Sequence, residues 1–122
     1  METMRKINNL KEALKFFEDA AIKYGEAIRN GKSKIANRNF DILADIAKYL
    51  RKNNSLHELS IFYTHPDISL RSWAATYLLP VYEKESIKVL KEVAKMDGIE
   101  SFNAEMTIKE WKNGNLRNYY TL

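Results

Sequence analysis

The stretch HPDISLRSWAATYLL, residues 65–79, indicates the fold class of this chain most clearly. Its apolar side chains recur at steps of three and four residues, which is the period of a helix with one buried side. They are Leu70, Trp73, Ala74, Tyr77 and Leu78. Pro66 suits a first helical turn, where its missing amide is not needed, and Asp67 adds a favourable negative charge there. Because Pro80 disfavours continuation, we expect a helix over about residues 66–79.

The same period continues on both sides of this stretch and predicts five further helices. Their ranges are about residues 7–29, 34–52, 56–63, 83–96 and 101–113. The second of these helices has two adjacent apolar stripes, which indicates packing on two sides. No segment alternates as a strand would. Six helices with connections of about two to five residues predict an all-α fold of antiparallel helical neighbours.

Residues that start or end helices lie between the periodic segments. Gly31 and Gly114 suit the left-handed conformation that closes a helix. Ser33 and Ser101 are expected to be N-caps. Residues 55–58, SLHE, have the pattern of a capping box. In that motif the serine hydroxyl accepts a hydrogen bond from the glutamate amide, and the glutamate carboxylate accepts one from the serine amide.

The composition excludes several classes of protein. The chain has 122 residues, 45% of them apolar and 30% charged, which is typical of one globular domain. It contains no cysteine, which excludes a disulfide framework, a thiolate metal site and a cysteine nucleophile. No apolar run approaches about 18 residues, and the first ten residues do not resemble a secretory signal. We therefore expect a cytoplasmic protein without a membrane partner.

Positive charge is concentrated in the first half of the chain. The net charge is +4, and residues 1–55 carry 12 Lys and Arg against 7 Asp and Glu, whereas residues 56–122 carry 8 against 9. One interpretation is a patch that meets phosphates or an acidic protein surface. The other is a solvated helix face, because acids alternate with bases at helical spacing. That face consists of Lys34, Arg38, Asp41, Asp45, Lys48 and Lys52.

The sequence has no pattern of reactive groups that supports catalysis. The two histidines, His57 and His65, lie eight residues apart across a turn and do not have the spacing of helical metal ligands. Residues 30–33, NGKS, lack the second glycine and the preceding strand of a phosphate-binding loop. No Gly-x-Ser-x-Gly motif is present. We expect no enzyme activity, no metal and no cofactor.

Two predicted helices repeat each other at an offset of 29 residues. Small, aromatic and aliphatic positions recur in the same order. The first set is Ser72, Trp73, Ala75, Leu79 and Tyr82, and the second is Ser101, Phe102, Ala104, Ile108 and Trp111. Such recurrence indicates stacked helical hairpins, each of which buries its apolar side against the next.

Residues 65–79 also resemble the HEAT-repeat pattern, in which Asp67 is followed four residues later by Arg71 and then by alanines and leucines. Together with residues 34–37 and 101–114, the chain resembles a small bacterial family of HEAT-like proteins, domain of unknown function 2019. The resemblance implies a short right-handed α-superhelix of stacked antiparallel helix pairs. It would occupy residues 1–115 as one domain, followed by a tail over residues 116–122.

If the chain is such a superhelix, its second, fourth and sixth helices line a concave face. The polar candidates for binding on that face are Lys34, Asn37, Arg38, Asp41, Arg71, Asn103 and Glu110. In HEAT-like proteins the Asp and Arg of the motif often join neighbouring repeats, so a structural role is expected for Asp67 and Arg71. Trp73 shares its helix side with apolar residues and is expected in the core.

The resemblance implies a non-enzymatic module that binds another protein through its concave face. Small bacterial proteins of this shape often neutralise toxins, so a cognate toxin is one class of partner to expect. The basic charge argues against a basic nuclease as that toxin. The alternative is binding of a nucleic-acid backbone, with Arg38 and Arg71 on phosphates and Trp73 or Tyr77 on a base.

Overall fold

The computed structural model describes residues 6–116. Within them the chain forms six helices and no strand. These are α1 (Leu10–Arg29), α2 (Ser33–Lys52), a 3-10 helix (Leu56–Thr64), α3 (Ile68–Tyr77), α4 (Glu83–Ala94) and α5 (Ile99–Lys112). The predicted all-α class is confirmed. Apart from Leu116, the predicted tail lies outside the described residues.

The chain divides into two compact units between Leu56 and His57. The first unit contains α1 and α2. The second contains nearly all of the 3-10 helix together with α3, α4 and α5. The predicted superhelix and the single domain over residues 1–115 both concern the arrangement of these units, and both stay predictions.

The first unit is a helical hairpin in which α1 and α2 pack along each other. Asn9 caps α1, since its side-chain oxygen accepts a hydrogen bond from the Glu12 amide at 2.9 Å. The buried side of α1 consists mainly of small side chains, which allow a close approach. It comprises Ala13, Phe17, Ala20, Ala21, Gly25 and Ala27. The helical period predicts one inward stripe of Leu10, Leu14, Phe17, Ala21, Tyr24 and Ile28. Phe17 and Ala21 are buried as predicted, whereas the other four are only half-buried.

Three of the described α-helices, α1, α2 and α5, end in the same closing motif. In each, the residue after the C-cap has a positive φ, as the motif requires. These residues are Gly31 at 69°, Asn54 at 55° and Gly114 at 76°. The closing amide-to-carbonyl hydrogen bonds run from Lys32 to Ala27 (2.8 Å), from Ser55 to Leu50 (2.8 Å) and from Asn115 to Glu110 (3.0 Å). The predicted roles of Gly31 and Gly114 are confirmed.

The three predicted serine caps are wrong, and the hydrogen bonds show why. The Ser55 amide already closes α2, and its hydroxyl donates to the carbonyl of Asn53 at 3.0 Å, so no capping box forms. Ser33 lies inside α2, whose N-cap Lys32 makes no side-chain hydrogen bond. Ser101 also lies inside its helix, and its hydroxyl donates to the carbonyl of Ala94 at 2.7 Å.

The start of α3 also differs from the prediction. Asp67 is the N-cap, with extended backbone angles, and its Oδ1 accepts a hydrogen bond from the Leu70 amide at 2.9 Å. Because a capping residue stands outside the helix, α3 begins at Ile68 and Pro66 lies two residues before it. Pro66 is therefore part of the preceding turn, not of the first helical turn.

The second unit has its own apolar cluster, to which α3, α4 and α5 all contribute. Its buried members are Ala75, Leu79, Val89, Leu90, Val93 and Ala104. The helical period predicts Ala104, Ile108 and Trp111 on the inward side of α5. This is confirmed, because Ala104 belongs to the cluster and the other two pack against it. The inner side of α5 is thus used for folding, which leaves its opposite side for solvent or a partner.

Candidate functional site

Four of the seven predicted binding residues lie in the first unit. Lys34, Asn37, Arg38 and Asp41 are all exposed along one side of α2. The acids and bases that continue this row are exposed as well. Because its charges alternate in sign, the row offers no continuous positive surface.

The other three predicted residues lie in the second unit and differ in their surroundings. Arg71 of α3 is half-buried, and within residues 6–116 its buried Nε has no hydrogen-bond partner. Asn103 of α5 is exposed. Glu110 is half-buried, and its Oε1 accepts a hydrogen bond from Asn115 Nδ2 at 2.8 Å. Of these three residues, Asn103 and Glu110 lie on the same side of α5, because they are seven residues apart, whereas Arg71 belongs to α3.

Large apolar side chains accompany these two residues on α5. Ile99 is 43% exposed, Phe102 is 60% exposed and Met106 is 37% exposed. At 100° per residue, these positions lie within about 60° of one another on the helix. The buried Ala104 lies on the opposite side, toward the cluster. We call the surface formed by Ile99, Phe102, Asn103, Met106 and Glu110 the outer face of α5.

The sequence contains a signal for this face. The helical period identified the inward stripe of α5 correctly, yet it cannot distinguish an inward apolar stripe from an outward one. The 29-residue repeat pairs Phe102 with Trp73. In the structure Trp73 is half-buried and its ring stacks on Tyr77 with centroids 5.8 Å apart, whereas Phe102 is the more exposed of the two. The signal for the outer face is that α5 carries apolar residues on two opposite sides, of which the cluster covers only one.

Polar contacts hold α5 in place at both ends. Near its start the Ser101 hydroxyl donates to the last carbonyl of α4, from Ala94. Near its end Trp111 Nε1 donates to Glu83 Oε2 at 2.7 Å. Gly98, the N-cap, has a φ of 108°, which favours glycine at this tight turn between α4 and α5. The outer face therefore sits on an anchored element.

Groups that could support chemistry elsewhere in the second unit have structural contacts. His65 Nδ1 accepts a hydrogen bond from the Asp67 amide at 2.9 Å, and His57 Nε2 lies 3.6 Å from Glu58 Oε2. Across residues 6–116, no three histidine or carboxylate side chains are grouped as a metal site would need.

The second unit also contains a hydrogen bond between two hydroxyl groups. The hydroxyls of Tyr63 and Ser86 lie 2.6 Å apart, and Ser86 is 0% exposed. Burial raises the pKa of the Tyr63 phenol above its usual value, while the hydrogen bond to Ser86 opposes that rise. Neither hydroxyl is placed as an activated nucleophile, since no histidine accompanies them among the contacts described.

Comparisons with protein-family models, curated proteins and solved structures found no match. The resemblance to HEAT-like proteins therefore stays a prediction. None of the described helices has both the length and the apolar character needed to cross a bilayer.

Proposed function

We propose that this chain is a non-enzymatic protein-binding module that docks its partner on the outer face of α5. One observation carries the proposal: Phe102, Ile99 and Met106 are exposed together on the side of α5 opposite the core. A run of exposed apolar side chains on one helix costs hydration free energy and is typical of interaction surfaces.

The composition of this face fits a protein partner. An aromatic anchor and a methionine are the side chains enriched at the centres of protein interfaces, and polar side chains form their rims. Phe102 and Met106 would occupy the centre, with Asn103 and Glu110 at the rim. A standard interface buries about 800 Å² on each partner, so surfaces beyond this single helix would also contribute.

The alternative of nucleic-acid binding through the first half is supported less well. Lys34 and Arg38 are exposed as that function requires, but Asp41 and the next acid in the row, Asp45, are exposed among them. Carboxylates at that spacing would repel successive phosphates. We therefore retain α2 as a secondary candidate surface, and a toxin stays the class of partner suggested by the family resemblance.

The test is a quantitative affinity capture from lysate of the source cells with matched variants. The docking variant is F102S/M106S, and the control is I61S, because Ile61 is 58% exposed and lies on the 3-10 helix instead. We expect a captured protein to lose at least about tenfold in affinity with the docking variant, as for an aromatic hot spot, and to be retained by I61S.

Two results would contradict the proposal. One is equal binding by the docking variant and the wild type. The other is self-association of the purified chain in sedimentation that the docking variant abolishes, because a second copy would then occupy the face. Capture of duplex DNA that depends on Arg38 and disappears with moderate salt would support the alternative.

A further inference from the structure

A row of lysines runs along the exposed side of α4. Lys84, Lys88, Lys91 and Lys95 follow one another at steps of four, three and four residues, so they project from one side of the helix. They line an open groove of about 660 Å³, and Lys112 at the end of α5 lines it as well. All five are exposed, and the groove lies entirely within the second unit.

Folding of the unit does not account for this row. Like charges at helical spacing destabilise a helix by about 0.2–0.5 kcal/mol for each pair. On α2 the corresponding row contains Asp41 and Asp45, which offset its bases. The α4 row itself contains no acid, and Glu92 beside it, four residues after Lys88 and three before Lys95, offsets only part of the repulsion. The repulsion would be relieved by an acidic ligand lying along the groove.

We propose that this groove binds an acidic polypeptide segment of the protein partner. The inference rests on the proposed function, because it specifies the chemistry of that partner. Charge complementarity selects the occupant: five lysines line the groove against two carboxylates, Glu83 and Glu92. Glu83 is already engaged by the indole of Trp111.

Two features favour a polypeptide over a chain of phosphates. A phosphate chain has no hydrogen-bond donor, so the Glu92 carboxylate could only repel it. A peptide has backbone amides, and the Glu92 carboxylate can accept hydrogen bonds from them. The lining residues also include no arginine for bidentate phosphate contacts and no aromatic ring for base stacking. Lysine acts as a flexible point charge, which suits carboxylates on a peptide of variable sequence.

The spacing of the row indicates the pattern of the segment. The helical rise separates successive lysines by about 6.0, 4.5 and 6.0 Å along the axis. Side chains on one side of an extended strand recur at about 6.8 Å, so acids at every second position would lie near successive ammonium groups. An extended segment with alternate acidic residues is therefore the occupant that fits best.

Fluorescence anisotropy with labelled synthetic peptides tests this inference directly. The probe is a peptide of about nine residues with glutamate at every second position and serine between, and its counterpart carries glutamine. The groove variant is K88E/K91E. The matched control is K11E/K15E, which makes the same change in net charge at exposed positions of α1.

We expect the glutamate peptide to bind the wild type, the glutamine peptide to bind at least about tenfold more weakly, and K88E/K91E to lose about tenfold or more. K11E/K15E should change the affinity less than about twofold, since neither lysine lines the groove and exposed charges that do not contact the ligand are largely screened. Equal losses in both variants, or no preference for glutamate, would overturn the inference. Inorganic polyphosphate that binds the groove more tightly than the peptide of equal charge would also overturn it, in favour of a phosphate ligand.

The two proposals can fail separately. If F102S/M106S abolishes capture of the partner while K88E/K91E leaves it intact, the proposed function stands and the acidic segment is wrong. If the peptide binds the groove but the outer face of α5 proves irrelevant to capture, the groove stands and the docking surface is wrong.

Discussion

The outer faces of α2 and α5 are both turned to solvent, but they have opposite chemistry. On α2 the exposed side carries alternating charges, including Lys34, Arg38 and Asp41. On α5 it carries Phe102 and two large aliphatic side chains. The charged side chains of the α2 face are those expected on a helix side that is exposed to water. The α5 face is costly in water, and the fold of its own unit does not use it.

Net charge is therefore a poor guide to where this chain exposes an unpartnered surface. The first half carries the excess of positive charge, and it attracted most of the predicted binding residues. The second half is nearly neutral, yet it holds both the apolar outer face of α5 and the uninterrupted lysine row of α4. Charges that cancel over a segment can still be separated in space.

The largest change in the free energy of unfolding is expected for a substitution in the buried cluster of the second unit, in contrast to one on the outer face of α5. Leu90 is fully buried in the cluster, and L90A should lower the free energy of unfolding by about 2–5 kcal/mol. F102A should change it by less than about 0.5 kcal/mol, because the side chain is already largely in water. Chemical denaturation of the two variants measures both values. A cost for F102A close to that of L90A would mean that Phe102 serves folding instead of docking.

A smaller effect is expected from the buried hydroxyl pair in the second unit. Y63F removes the partner of Ser86, and leaving that hydroxyl buried and unpaired should cost about 1–3 kcal/mol. The double variant Y63F/S86A should lose less than the sum of the two single variants, since no orphaned group remains. A double-mutant cycle by denaturation checks this. Strict additivity would show that the hydroxyls are not coupled.

The smallest expected effect is a dependence of stability on alkaline pH in each unit. Burial raises the pKa values of Tyr24 in the first unit and Tyr63 in the second. A phenol whose pKa is higher in the folded state stabilises that state below the unfolded value of about 10, and this contribution is lost as pH rises through the folded value. We expect Y24F and Y63F each to reduce the fall in unfolding free energy above about pH 10. An unchanged slope in both would contradict the assignment.

The sequence predicted those parts of the fold that local geometry determines. Gly31 and Gly114 close their helices because few other residues accept a positive φ, and the inward stripe of α5 follows from its period. The capping box at Ser55 failed because the same amide closes α2, and one amide proton cannot satisfy both motifs. The sequence alone did not reveal the outer face of α5, because periodicity identifies apolar sides without showing which of them the tertiary packing covers.

Hydroxyl-radical labelling of Phe102 measures whether a bound partner covers the outer face of α5. In the free chain Phe102 should be labelled at a rate comparable to that of other exposed aromatic rings. In the complex with the captured partner its rate should fall severalfold, while Ile61 on the 3-10 helix keeps its rate. Unchanged labelling of Phe102 in a complex shown to be fully formed would contradict the claim that the outer face of α5 is the docking surface.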